Sequence, residues 1–321
     1  MKILTASDVQ RLLPMRVAIA LMRDAMRQVS AGETLLPLRH FLSVPGTEGK
    51  MVVMPGYVAN PPSFGLKFVS KFPRAAGDRH GTHVGAVLIC SADDGLPLAL
   101  MDGATLTAIR TAAASAMATD VLARANARTL LVMGAGEQAR THVAALRLVR
   151  PFARVVIWSR NADSARALAD EVEAEVAVDL DAAVAEADVI CTTTSATTPI
   201  LRGAALSPGC HVNLVGAPVA TSAEADGEVV RRARFFVDYR VAAMAAAGEL
   251  LDAIAAGVVG EDHIAGEIGD VLLNRVAGRT SDADITVYKS LGVTAQDLVA
   301  AHAVWETAVA RNVGFEVDLS T

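Results

Sequence analysis

Apolar residues recur at helical spacing near the amino terminus. Ala18, Met22, Ala25, Met26 and Val29 follow Ser7 and Gln10, which have the form of a capping box, and the pattern predicts one amphipathic helix closed near Gly32. Beyond it the period shortens. Met51–Met54, Gly65–Phe72, Val84–Cys90 and Leu96–Met101 read as short strands separated by Gly, Pro, Asn and Asp clusters. In Phe64-Gly-Leu-Lys-Phe-Val-Ser-Lys-Phe72 a period of 2 puts Phe64, Leu66 and Phe68 on one face and Lys67, Val69 and Lys71 on the other, so the lysine is expected to point away from the packed side. The segment from Thr107 to Ala123 is a helix of small side chains, expected to bridge two domains. From Thr129 strands and helices alternate: Thr129–Met133, a helix from Glu137 to Val149, Val155–Trp158, a helix from Ala162 to Ala174, then strands at Val189–Thr193, His211–Val215 and Phe235–Val237. Short apolar strands alternating with helices predict a parallel sheet covered on both faces, and hence an α/β fold.

Composition narrows the class. A chain of 321 residues is long enough for two domains, and 52% hydrophobic residues with a mean hydropathy of +0.38 raise the question of a membrane. Arg, Asp or Glu interrupts every long apolar stretch, so no spanning helix is expected and the surplus apolar surface is assigned to a subunit interface. The amino terminus meets Asp8 and Arg11 where a secretory signal would have its apolar core, and the 3 cysteines are well separated, so a cytoplasmic protein without disulfides is expected. Net charge is −6 with the basic residues dispersed, which provides no footprint for nucleic acid. No metal site is expected.

The chemistry begins at Leu130-Leu-Val-Met-Gly-Ala-Gly-Glu-Gln-Ala-Arg140, an apolar strand running through Gly134-x-Gly136-x-x-Ala139 into a helix. Gly134 allows the tight turn, Gly136 lets backbone N–H groups approach a pyrophosphate, and Ala139 permits close helix–strand packing. Gly134, Ala135, Gly136, Glu137 and Gln138 are therefore expected at the dinucleotide. The second strand ends in Ser159, Arg160 and Asn161 where an NAD-specific site has an acidic residue, so NADPH is expected, with NADH as the other possibility.

Only five of the 29 basic residues are lysines. A carboxylate-bearing substrate needs fixed cations, and Arg39, Lys67 and Arg110 are the candidates in the first domain. Arg110 lies amid Ala108-Ile-Arg-Thr-Ala-Ala-Ala114, where a charge among small packed residues requires a partner or a polar cavity.

These residues also carry a resemblance. Leu38-Arg39, Met54-Pro-Gly-Tyr57, Gly65-Leu-Lys67, Met101-Asp-Gly103, Leu106 to Ala114, Gly134 to Arg140 and Ile285-Thr-Val-Tyr-Lys-Ser-Leu-Gly292 together resemble, in order and over nearly the whole chain, the ornithine cyclodeaminase/mu-crystallin family. The resemblance implies a mixed α+β substrate-binding and dimerisation domain, taken as 1–117 plus 303–321, and a Rossmann-type domain at 118–302, with a C-terminal helix over Thr294–Asn312 returning to the first domain. It places the family's carboxylate cradle on Arg39, Lys67 and Arg110, with Thr82 and His83 at the mouth of the site and His83 a candidate catalytic group. It places Ser290, Gly292 and Val293 near the nicotinamide, and the cofactor set further includes Thr111, Thr193, Val215 and Gly216 along with Arg110. A homodimer is implied.

Two departures bear on activity. The aspartate that handles the amine in cyclodeaminases corresponds to Pro218, and the accompanying glutamate to Met54, as in the mu-crystallin branch. Without them, deamination by cyclisation loses its acid–base groups, whereas reduction of an imine needs neither. The expected activity is NADPH-dependent reduction of a cyclic 2-carboxy imine to a cyclic amino acid, with Lys67 orienting or protonating the nitrogen in a pocket without an obvious carboxylate. The alternatives are an amino-acid dehydrogenase of the alanine dehydrogenase type acting on a 2-oxo acid, an ornithine cyclodeaminase, and a non-enzymatic mu-crystallin-like binding protein.

Overall fold

The computed structural model describes residues 1–73 and 83–319 and divides into two compact units, Met1–Arg110 with Val293–Thr321, and Thr111–Gly292. The divisions fall at 110/111 and 292/293, not at 117/118 and 302/303. The whole C-terminal helix, Thr294–Ala310, belongs to the first unit because its buried face packs there on a helix and a sheet.

In the first unit the amino-terminal pattern forms two helices where one was expected. Thr5, not Ser7, caps α1 (Ala6–Leu12), its hydroxyl accepting from the Asp8 N–H while Asp8 reaches back to the Thr5 N–H. Pro14 then interrupts the ladder, since it has no N–H to donate, and caps α2 (Met15–Ala31). Ala18, Met22, Ala25, Met26 and Val29 are buried along one stripe of α2, and Gly32 ends it with a φ of +76° that a side chain would resist.

The strands β1 (Lys2–Leu4), β2 (Thr34–Leu35), β3 (His40–Ser43), β4 (Lys50–Ala59), β5 (Pro62–Lys71), β6 (His83–Ser91) and β7 (Pro97–Asp102) join a short return strand, Phe315–Glu316, in an eight-stranded mixed sheet among the described residues. β1 runs parallel to β7, and the remaining pairs are antiparallel. The C-terminal helix packs on α2, β4, β5 and β6. That helix covers the face carrying Met54, Lys67 and Val87, which are paired in register across β4, β5 and β6. Lys67 therefore points into the packed side, opposite to expectation, and the face bearing Phe64 is the more open one. Leu35, Leu42, Phe64 and Val84 share that outer face by register and remain exposed.

A helix of small residues, α3 (Gly103–Leu122), carries the chain from one unit into the other. It begins at Gly103 against β6, where a Cβ would come within 2.9 Å of the Ala86 nitrogen. The second unit is built on β8 (Thr129–Met133), β9 (Arg154–Trp158), β10 (Glu175–Val176), β11 (Val189–Thr192), β12 (His211–Leu214), β13 (Ala233–Val237), β14 (Ile264–Glu267) and β15 (Ile285–Lys289). Their order is β10-β9-β8-β11-β12-β15-β13-β14, and every pairing is parallel. Leu131, Ile190, Val212, Phe235 and Val287 form the middle of its core. The chain winds outward from β8 through β9 to β10, then resumes at β11 on the other side of β8. That reversal is the topological switch point at which open α/β sheets bind ligands.

Candidate functional site

In the second unit the loop after β8 meets the end of β11 at the switch point. Gly134 adopts a φ of +126°, and a Cβ there would stand 2.6 Å from Thr193 Oγ1 and 2.8 Å from its carbonyl oxygen, so only glycine fits. Thr193 in turn donates its N–H and its hydroxyl to the Met133 carbonyl at 2.8 and 3.1 Å. Gly136 caps α4 (Glu137–Leu146) with no side-chain hydrogen bond, and no protein atom lies within 4 Å of where its Cβ would be. The first-turn N–H groups of α4 thus have no side-chain cap, the arrangement that accepts a pyrophosphate. At the end of β9, Ser159 Oγ accepts from the Asn161 N–H at 3.3 Å, while Asn161 Oδ1 caps α5 (Ala162–Glu171) through the Ser164 N–H at 3.0 Å. Arg160 beside them is exposed and makes no hydrogen bond or ion pair among the described residues.

Behind these loops is a layer of buried charge that sequence reasoning missed. Glu224 is fully buried and accepts from Thr192 Oγ1 at 2.6 Å, from the Thr194 N–H and hydroxyl at 2.7 Å each, and from the Gly216 N–H at 2.6 Å. It ties the end of β11 to the end of β12, where Val215 and Gly216 lie. Asp238, just beyond β13, accepts from the N–H groups of Leu291 and Gly292 at 2.8 and 2.7 Å and so fixes the segment following β15. Ser290 in that segment is buried, and its hydroxyl has no partner among the described residues. Lys289 pairs with Glu249 at 2.8 Å with both side chains fully buried, and donates to the Ala217 carbonyl at 2.7 Å. Pro218 follows in the same loop. Thr111 is buried at the first position of this unit, and Val293 caps the C-terminal helix at the resumption of the other. An apolar strand ending in a charge, as Ile285–Lys289 and Phe235–Asp238 do, was the available signal.

In the first unit Lys67 and Arg110 converge on one carboxylate, Asp297. Lys67 Nζ lies 2.9 Å from Oδ2 and donates to Oδ1 at 3.1 Å; Arg110 Nε donates to Oδ1 at 2.9 Å and Nη1 to Gln296 Oε1 at 2.9 Å. Lys67 is 3%, Arg110 4% and Asp297 0% exposed, so none of the three charges is screened by solvent. The C-terminal helix is set for this by its first residue: Thr294 Oγ1 donates to the Met54 carbonyl at 3.3 Å, and Gly56 leaves room for the Thr294 side chain. Gln296 is itself held through Nε2 to Met26 Sδ on α2 at 3.3 Å.

Burial, then the adjacent Arg110 charge and the charge of Arg39, press the Lys67 pKa down to about 8 against the opposing pull of Asp297. Asp297 stays below the usual carboxylate range, since Arg110 and Lys67 together outweigh the burial that would raise it. The cations exceed the acid, because Lys67 and Arg110 share the one carboxylate of Asp297. Arg110 Nη2 makes no hydrogen bond among the described residues. The expectation of a pocket without a carboxylate is corrected here: Asp297, the only acidic residue of the helix's buried face, lies between the two cations. Met54, which takes the cyclodeaminase glutamate position, is buried directly opposite Lys67 in the β4–β5 register. Of the mouth residues, Thr82 lies outside the described residues, and His83 begins β6, opposite Lys71 of β5 in the register.

Residues 1–312 match the ornithine cyclodeaminase/mu-crystallin family, and the chain belongs to it. It is 33% identical to a Delta(1)-pyrroline-2-carboxylate reductase of Bacillus cereus, with 99% of this chain and 100% of that one covered. It is 36% identical to the ketimine reductase mu-crystallin of Mus musculus over 86% of each chain. Among solved structures it is similar to Thermococcus litoralis Delta(1)-pyrroline-2-carboxylate reductase in complex with NADH and L-proline, with a TM-score of 0.93, 29% identity and coverage of 99% and 100%.

Proposed function

We propose that this chain is an NAD(P)H-dependent oxidoreductase that reduces a cyclic 2-carboxy imine, such as pyrroline-2-carboxylate or piperideine-2-carboxylate, to the cyclic amino acid. The observation that carries it is the buried Lys67–Asp297–Arg110 group, which leaves a net positive charge and an uncommitted guanidinium nitrogen for a small carboxylate. The pyrroline-2-carboxylate reductases and the ketimine reductase among its relatives support it.

The residues present fit a nicotinamide dinucleotide, because Gly134 allows the close turn against Thr193, Gly136 leaves open the space a Cβ would fill, and α4 has no side-chain cap. When bound, the reduced nicotinamide supplies the hydride that C2 of the C=N bond accepts, and the ring is left oxidised while the imine nitrogen gains a proton. Arg110 and Arg39 hold the substrate carboxylate, with Arg110 contributing Nη2 of a guanidinium that Asp297 and Gln296 fix in place, and Arg39 its charge. Lys67 orients the imine nitrogen and donates the proton, which it regains from solvent. A lysine whose pKa is pressed toward neutrality gives up a proton more readily than a solvated one. Met54 and Pro218 offer no acid or base, which disfavours deamination of ornithine.

Ser159 and the unpaired Arg160 suit a ribose 2′-phosphate, so NADPH is the preferred cofactor in this proposal. The outer sheet face bearing Leu35, Leu42, Phe64 and Val84 is proposed to be covered by a second copy of the chain, and light scattering should then return twice 33.4 kDa. A monomer at micromolar concentration would remove the dimer. The activity is tested by following NAD(P)H oxidation with cyclic imines, with 2-oxo acids plus ammonia or amines, and with ornithine in the oxidative direction. Oxidation with a cyclic 2-carboxy imine is the expected result. Turnover confined to 2-oxo acid plus ammonia would make the protein an amino-acid dehydrogenase instead.

A further inference from the structure

We infer that Asp297 is a positioning residue that holds Lys67 charged and aimed, so that the proton donor of the site is a lysine–aspartate pair carried on two elements and not a lysine alone. The inference rests on the proposed reductase site and deepens it by assigning a role to the carboxylate at its centre.

The geometry requires some such group. Lys67 projects from β5 into a region where burial, Arg110 and Arg39 all favour the neutral amine. Met54 opposite it on β4 and Val87 opposite it on β6 carry no charge, so neither neighbouring strand offsets this. The C-terminal helix supplies the only countercharge facing it among the described residues, at 2.9 Å. Without Asp297 the ammonium would stand beside two cations in a dry environment and lose its proton before the substrate arrived. With it, the hydrogen bond from Nζ to Oδ1 gives Nζ one direction, with Oδ2 close by at 2.9 Å, while Arg110 takes Oδ1 from another side and is steadied by Gln296. Asp297 does not itself transfer the proton: both its partners keep it ionised.

Lys67 can be titrated without substrate. Lysine labelled with 13C at Cε has five positions in this chain, and the signal lost in Lys67→Arg identifies the one of interest. In wild-type protein that signal should titrate near 8, whereas in Asp297→Asn it should titrate at least about one pH unit lower, a tenfold change in proton affinity. The alkaline fall of kcat/KM for the imine should move down with it, and KM for NADPH should stay within about twofold. Asp297→Glu, which keeps the charge, should restore the wild-type titration while lowering kcat, because Nζ is displaced. A Lys67 signal that titrates at the same pH in Asp297→Asn as in wild type overturns the inference. If Asp297→Asn does not fold, a downward shift in Asp297→Glu as large as one unit overturns it equally. Failure of the reductase proposal is distinct: no imine is reduced, yet the Lys67 titration still reports on Asp297.

Discussion

Each unit contains one buried strand lysine paired with a helix carboxylate, and the two pairs are built differently. Lys289 meets Glu249 at 2.8 Å, gives a further hydrogen bond to the Ala217 carbonyl, and Glu249 Oε1 accepts from the Glu224 N–H at 3.0 Å. That pair is neutral as a whole and its capacity is spent on protein groups that hold loops in place. Lys67 meets Asp297 at 2.9 Å, but Asp297 is shared with Arg110, so two buried cations meet one acid. Charge left over inside a protein is costly unless something arrives to meet it. A closed pair is therefore scaffolding, and a cation-rich cluster is a place for an anion.

The sharpest test of that contrast is truncation. Lys289→Met leaves Glu249 buried with no cation, and breaking such a pair typically costs about 3–5 kcal/mol. Denaturant unfolding should show a loss of that order, with dinucleotide affinity falling as the loops after β12 and β15 loosen. Unchanged stability would mean the pair is not structural. Lys67→Ala should behave in the opposite sense, because Asp297 keeps Arg110 as its partner. Stability and NADPH affinity should hold while kcat/KM for the imine falls by roughly 30- to several-thousand-fold, the range expected from about 2–5 kcal/mol for one partner of a desolvated pair. Loss of stability in parallel with activity would place Lys67 with Lys289, as scaffolding.

The same contrast explains what the sequence disclosed. Strands of the second unit are buried on both faces, so Thr129–Met133 and Phe235–Val237 read as uninterrupted apolar runs, and the glycines after β8 answer to backbone constraints visible in one line of text. The first unit has a sheet with apolar residues on both sides. Period 2 sorts Phe64 from Lys67 there, but only the helix brought back from position 294 decides which side is covered. Asp297 was hidden for a related reason. Helix Thr294–Ala310 is buried on so many sides that its polar residues stand out by no periodicity, and their partner lies 230 residues away in the chain. Arg110 was legible because a guanidinium among alanines demands a partner, and that argument, applied to Gln296 and Asp297, would have found them too.

Arg110→Lys divides the cradle more finely. Charge is kept, yet the planar fork that reaches Asp297 through Nε and Gln296 through Nη1 is lost. A drop of about ten- to a hundredfold in kcat/KM, mainly through KM for the imine, is expected from about 1.5–3 kcal/mol for a charge-assisted hydrogen bond. Near-wild-type kinetics would reduce Arg110 to a point charge and remove the argument from its geometry.

The smallest effect belongs to the second unit and concerns a cation of a third kind, neither buried nor paired among the described residues. Arg160 stands exposed after β9, beside Ser159 and Asn161, whose polar groups are partly engaged in shaping the turn and capping α5. A guanidinium in that position gains from a 2′-phosphate and nothing from a 2′-hydroxyl, but it acts through solvent and is screened by salt. Its preference for NADPH should therefore be modest: at least about tenfold in kcat/KM, which corresponds to about 1.4 kcal/mol, and shrinking as ionic strength rises. Arg160→Glu should reverse the order, because a carboxylate repels the phosphate and accepts hydrogen bonds from the ribose hydroxyls. Turnover with NADH should survive the change, since Lys67 and Arg110 of the proposed cradle belong to the other unit. Equal kcat/KM for the two cofactors in the wild-type protein would show that this exposed cation selects nothing.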